Sequence, residues 1–151
     1  MRTFRPTHAV RVGAIVLNER GELLVVQHAR RGERYWTVPG GSVEITESLD
    51  VALSREVREE TGCVVDVRDI CCVAELRYDI WSESRLEIFF HCVVLERVEP
   101  EQRGERIVAV EWRSAESLGG TFRPTALLSH VQRAAGAPFL ANVRELGLET
   151  C

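Results

Sequence analysis

The run of apolar and β-branched side chains over residues 10–17, the turn-forming Asn18-Glu19-Arg20-Gly21 and the second apolar run over 23–26 have the pattern of a β-hairpin. Residues 29–34 are polar, with Arg30, Arg31 and Arg34 around Gly32, which predicts an exposed loop. A short strand over 35–38 follows and is broken by Pro39-Gly40-Gly41. The period then changes to that of a helix over 48–61, with Ser48 as N-cap, Asp50 in the first turn and Gly62 as the stop. Strands are expected over 64–67, 70–76 and 86–95, then a charged loop over 96–106 and a strand over 107–112. Pro124 suits the first turn of a second helix, running to about residue 135 before Gly136. Residues 137–151 point to no single element. No repeat, low-complexity tract or linker interrupts the chain, so residues 1–151 are expected to form one domain around one core.

The first helix breaks its own pattern. At about 100° per residue, Leu49, Ala52, Leu53 and Val57 form an apolar stripe, and Glu56 and Glu60 fall on the same stripe. Carboxylates at i and i+4 repel by roughly 0.2 to 0.5 kcal/mol even when exposed, and turning them inward adds a larger desolvation cost. A positive charge is therefore expected between them. Glu59 lies beside the pair and Glu47 stands just ahead of the helix, so four carboxylates converge on one region. Oxygen ligands without thiolate or imidazole suit magnesium or manganese rather than zinc. Arg55 is four residues before Glu59, the spacing that orients a carboxylate by a charge-assisted hydrogen bond. A solvated acidic helix with an ordinary arginine–glutamate pair is the other reading of the same residues.

Composition narrows the partners. The 19 basic residues are all arginine, and the formal net charge of −4 offers no general attraction to a nucleic-acid polymer. Arginine forks still suit individual phosphates, so a small phosphorylated ligand fits an acidic chain. No stretch reaches the roughly 18 apolar residues of a membrane span, and residues 1–8 lack the apolar run of a secretory signal. The five cysteines, at 63, 71, 72, 92 and 151, include no Cys-x-x-Cys pair, and no histidine has zinc-finger spacing. The expectation is a soluble protein of the reducing cytoplasm, with Cys71 and Cys72 acting as small buried hydrophobes.

The segment from Gly41 to Cys63 resembles the Nudix box, Gly-x5-Glu-x7-Arg-Glu-U-x-Glu-Glu-x-Gly-U, where U is a bulky aliphatic. Gly41 is followed by Glu47, Arg55, Glu56, Val57, Glu59, Glu60, Gly62 and Cys63 at the required spacings, and all seven fixed identities are met. Cys63 stands where an aliphatic is usual, and Thr46 replaces a common glycine. The similarity extends beyond the box, through the preceding hairpin, the approach from Trp36 to Gly41 and the late strand ending in Glu111-Trp112. The resemblance implies an α/β fold of the Nudix type, an α/β/α sandwich with a mixed β-sheet. It also implies a magnesium-dependent pyrophosphohydrolase, with manganese as a substitute, acting on a small nucleoside diphosphate derivative. Nucleotide sugars, ADP-ribose-like compounds, (deoxy)nucleoside triphosphates and dinucleoside polyphosphates all belong to that class.

Carried over residue by residue, the resemblance makes Glu56 and Glu60 metal ligands and Glu59 a further ligand or a water-activating base. Arg55 and Glu47 would orient them, and the Gly40 carbonyl would complete the shell. Family members often take a general base from a loop outside the box, which makes Glu105 the candidate, with Glu87 and Glu101 behind it. Arg30 and Arg34, with Arg31, are candidate phosphate grips. Tyr78 and Trp81 are candidate stacking faces for a base or sugar, whereas Trp36 is expected in the core. Tyr78 occupies the place of the proline typical of ADP-ribose-cleaving relatives. The four histidines, 8, 28, 91 and 130, form no cluster in sequence and receive no role. A homodimer is the family habit. The alternatives are a nucleotide-sensing Nudix domain without turnover, whose kind usually loses box glutamates, and an isoprenoid diphosphate isomerase, which needs further catalytic residues.

Overall fold

The computed structural model describes residues 8–78, 83–100 and 106–131. Its strands are β1 (His8–Ile15), β2 (Leu23–Arg30), β3 (Glu33–Thr37), β4 (Gly40–Ser42), β5 (Cys63–Tyr78), β6 (Glu83–Arg97) and β7 (Ile107–Arg113). The helices are α1 (Leu49–Thr61), α2 (Ala115–Leu118) and α3 (Leu127–Val131). One sheet has the order β4-β1-β6-β5 and the other β3-β2-β7. The first is mixed, because β1 runs parallel to β6 and antiparallel to β4. Among the described residues no helix is long and apolar enough to cross a membrane.

Successive side chains of a strand face opposite ways, so a strand that is apolar at every position supplies two cores. Val12, Ala14 and Val16 join one cluster with Leu24, Phe90 and the helix residues Ala52, Leu53 and Val57. Ile15, Val25, Trp36, Cys72, Phe89, Phe122 and Leu127 form a second cluster with Val131 of α3. The single core expected from the sequence is thus two, one under α1 and one under α3, which is the α/β/α arrangement. Trp36 is buried as expected, with the Arg113 guanidinium 4.9 Å from its ring centroid.

Several expected boundaries change, each for a local reason. Asn18 and Gly21 do form a turn, and Leu17 bridges Leu23, but β1 and β2 then diverge into separate sheets instead of continuing as a hairpin. The loop expected over 29–34 is instead the tip of a β2–β3 hairpin. Arg31 and Gly32 take left-handed φ values of 52° and 82°, and Arg30 pairs with Glu33. The two strands expected over 64–67 and 70–76 are one, β5, with register irregularities where residues 64–72 meet β6. Short α2, absent from the sequence reading, is capped by the Ser114 hydroxyl, which accepts from Ser117 N–H. The described part of the second helix begins three residues after Pro124, at Leu127.

Candidate active site

Helix α1 is held in place by its stripe. Ala52, Leu53 and Val57 are fully buried, and burying side chains such as leucine and valine contributes about 1.5 to 3 kcal/mol each. That gain offsets the cost of turning carboxylates inward on the same face. Ser48 occupies the N-cap position with extended backbone, but its side chain makes no cap bond. At the other end Gly62 adopts φ 74°, its N–H donating to the Arg58 carbonyl. The Val98 carbonyl approaches its Cα so closely that a side chain there would collide with it.

Glu60 is only 9% exposed. One of its carboxylate oxygens accepts a hydrogen bond of 3.1 Å from Gly40 N–H. Burial pushes its pKa up to about 8, against the pull of that bond, and the neighbouring Glu56 charge raises it further. Glu56 is half-buried, and its pKa is also raised, first by burial and with Glu59 adding to it, while Arg55 pulls the other way. Gly41 makes the room, since a methyl group on its Cα would land on the Glu56 carboxyl.

Arg55 is the clamp of the site. Its Nε and one amino nitrogen donate to the two oxygens of Glu47 at 2.7 and 2.8 Å, a bidentate pair. Its other amino nitrogen donates to Glu56 at 2.9 Å and, more weakly, to Glu59 at 3.4 Å. A bond of 3.3 Å to the Ser42 carbonyl ties the fork to β4. Hydrogen bonding from Arg55 holds the Glu47 pKa down at about 2, and Glu47 in turn raises that of Arg55. The strongest partner of Arg55 is therefore Glu47, eight residues away, rather than the Glu59 expected from helical spacing.

The donor set suits a hard divalent cation. Glu60 is buried with one neutral N–H donor, Glu56 has one oxygen taken by Arg55, and neither thiolate nor imidazole stands in the cluster. Among the described residues no three or more His, Cys, Asp or Glu side chains converge as a ready-made cage. Two carboxylates and the Gly40 backbone would thus leave much of the shell to water and ligand oxygens, as magnesium prefers.

The structure brings Glu47, Arg55, Glu56, Glu59, Glu60 and Gly40 together, with Gly40 touching Glu60 through its N–H. Arg30 and Arg34 are exposed near the tip of the β2–β3 hairpin. Tyr78 ends β5. Trp81, Glu101 and Glu105 lie outside the described residues. Glu87, a reserve candidate for the general base, is mostly buried on β6 and ion-paired with Arg11 at 3.0 Å. Arg11 itself was missed by sequence reasoning, since a lone arginine in an apolar strand has no spacing to mark it.

A family model described as NUDIX domain matches residues 7–135. A protein named Nudix hydrolase 5, from Arabidopsis thaliana, is 32% identical over 73% of this chain and 37% of its own length. A MutT-like protein of Streptomyces ambofaciens is 31% identical over 77% of this chain and 70% of its own. The matched segment thus spans little more than a third of the first relative and about two-thirds of the second. Among solved structures, a NUDIX hydrolase from Nitrosomonas europaea superposes with a TM-score of 0.73 at 23% identity, over 84% of this chain and 86% of its own.

Proposed function

The chain belongs to the NUDIX family, and on that footing we propose that it hydrolyses the diphosphate linkage of a small nucleoside diphosphate derivative with the help of magnesium or manganese. One observation carries the reading. Glu56 and Glu60 turn inward on the buried face of α1, where, among the described residues, Glu60 accepts a hydrogen bond from the neutral Gly40 N–H alone. A cation between them would relieve both desolvated carboxylates.

A bound divalent ion supplies neutralisation of the diphosphate oxygens and makes water more acidic. Glu56, Glu60 and the Gly40 backbone are the residues that would hold it. Arg55, locked by Glu47, fixes the direction of Glu56 and Glu59. Glu59, the most exposed of the three at 41%, accepts the proton of the attacking water. The water oxygen bonds to phosphorus, the anhydride P–O bond breaks, and the bridging oxygen leaves with the second phosphate. Glu105 is a second candidate for that base. Arg30, Arg34, Tyr78 and Trp81 are proposed for contacts to the substrate's outer parts. A single catalytic domain over residues 1–151, working in the reducing cytoplasm as a homodimer, completes the proposal.

The test is a panel of nucleoside triphosphates, nucleotide sugars, ADP-ribose and dinucleoside polyphosphates, each with magnesium and with manganese. Turnover by the wild type, lost in Glu56→Gln and Glu60→Gln with folding retained, is expected. Full activity in both variants would overturn the metal assignment. Tight nucleotide binding with no product from any compound would favour a sensing role.

A further inference from the structure

Arg11 lies on β1, directly opposite Ser42 of β4 on one side and Glu87 of β6 on the other. Its Nε donates to Glu87 at 3.0 Å, with side chains 27% and 14% exposed. The two amino nitrogens make no other hydrogen bond among the described residues, and none of the buried side-chain nitrogens or oxygens there lacks a partner. Both amino groups therefore keep access to solvent. The arginine's charge is close enough to act on Glu56, Glu60 and Glu87, and on His28 across on β2. Arg11 is thus held on the strand paired with β4, its Nε tied to Glu87 and its charge felt at both carboxylates.

We infer that Arg11, positioned by Glu87, is a substrate-binding residue that grips a non-bridging oxygen of the diphosphate with its free amino groups. This rests on the proposed function. The chemistry favours Arg11 over the arginines of the β2–β3 hairpin. Arg30 and Arg34 are exposed on flexible stems, whereas Arg11 is already oriented by an ion pair and loses less freedom when a phosphate arrives. Glu87, on this view, is a positioning residue: its carboxylate sets the plane of the fork and does not touch the substrate.

An ion pair that only steadies the sheet would behave differently from one that binds. Removing Arg11 alone orphans the buried Glu87, so the informative comparison is Arg11→Ala/Glu87→Gln against Glu87→Gln. The probe is methylenediphosphonate, a diphosphate mimic with no base and no cleavable anhydride, titrated calorimetrically with magnesium present. A dissociation constant at least tenfold higher in the double variant than in Glu87→Gln is expected. On a cleavable substrate KM should rise by a similar factor while kcat stays within a few-fold, and Arg11→Lys should recover part of the loss. Equal affinity in the double variant and Glu87→Gln, with the wild type binding normally, overturns this inference alone. A wild type that neither binds the probe nor cleaves any panel compound overturns the proposed function and this inference with it.

Discussion

Replacing Glu60 by glutamine removes one negative charge from the buried face of α1 and leaves shape and volume nearly unchanged. Without metal, the wild-type carboxyl titrates near 8 in the folded protein against an ordinary 4.5, because burial disfavours its charged form. The folded state therefore holds its proton over a range where the unfolded chain has lost it. Stability from this group is fully present below pH 4.5 and is lost as pH rises through about 8. The whole span corresponds to on the order of 5 kcal/mol. The glutamine variant keeps an acceptor for Gly40 N–H and has nothing to titrate. In excess chelator at pH 5, wild type and Glu60→Gln should melt within a few degrees of each other. At pH 8.5 the variant should melt higher by about 10 °C, since a domain of this size moves roughly 2 to 4 °C per kcal/mol. Magnesium should then raise the wild-type midpoint at pH 8.5 and leave the variant unmoved. Thermal melts by circular dichroism at the two pH values suffice. Parallel curves for both proteins, with or without magnesium, would refute the claim that this carboxylate sits uncompensated in a desolvated site.

Gly41→Ala puts a methyl group on the Glu56 carboxyl; titration calorimetry should show magnesium affinity down at least tenfold, with far-ultraviolet dichroism unchanged. Arg55→Lys forfeits the bidentate bond to Glu47 and the reach to Glu56, so kcat should fall about 100-fold with a smaller change in KM, and equal kinetics would remove the clamp role. Because the Glu47 pKa is depressed to about 2, its ion pair is complete above the ordinary 4.5 and is lost only as pH falls toward 2, so an acid limb in the rate profile above pH 4 should persist in Glu47→Gln. Magnesium binding at pH 7 should release close to one proton, chiefly from Glu60, readable as a dependence of binding enthalpy on the buffer's ionisation enthalpy; no dependence would argue that the site is already ionised.

Periodicity read α1 well, because one helix face is decided by residues three and four apart: Ala52, Leu53 and Val57 are buried as the stripe required, and Glu60 with them. Strand partnership is decided elsewhere. The turn at Asn18 to Gly21 is legible, yet the pairing of β1 with β6 joins residues 76 positions apart, Arg11 with Glu87 among them, and no local pattern encodes it. The two cores were hidden for a related reason. A strand apolar at every position looks like one buried run until its two faces are known to meet different helices.

The same distinction between local and distant order separates what was legible at the site from what was not. Helical spacing offers Arg55 a partner in Glu59, and that bond exists, but at 3.4 Å it is the weakest of the clamp's bonds to carboxylates. The short bonds go to Glu47, which the chain brings back through the turn where Glu44 N–H donates to its side chain. An arginine saturated on one side by Glu47 cannot neutralise Glu56 and Glu60 as well, so the carboxylates stay under-compensated although a guanidinium touches one of them. Arg11, a second cation whose charge reaches both carboxylates, donates its Nε to Glu87. Among the described residues two arginines act on the pair and neither closes it, which is the electrostatic condition that the proposed uptake of a divalent ion with an anionic ligand requires.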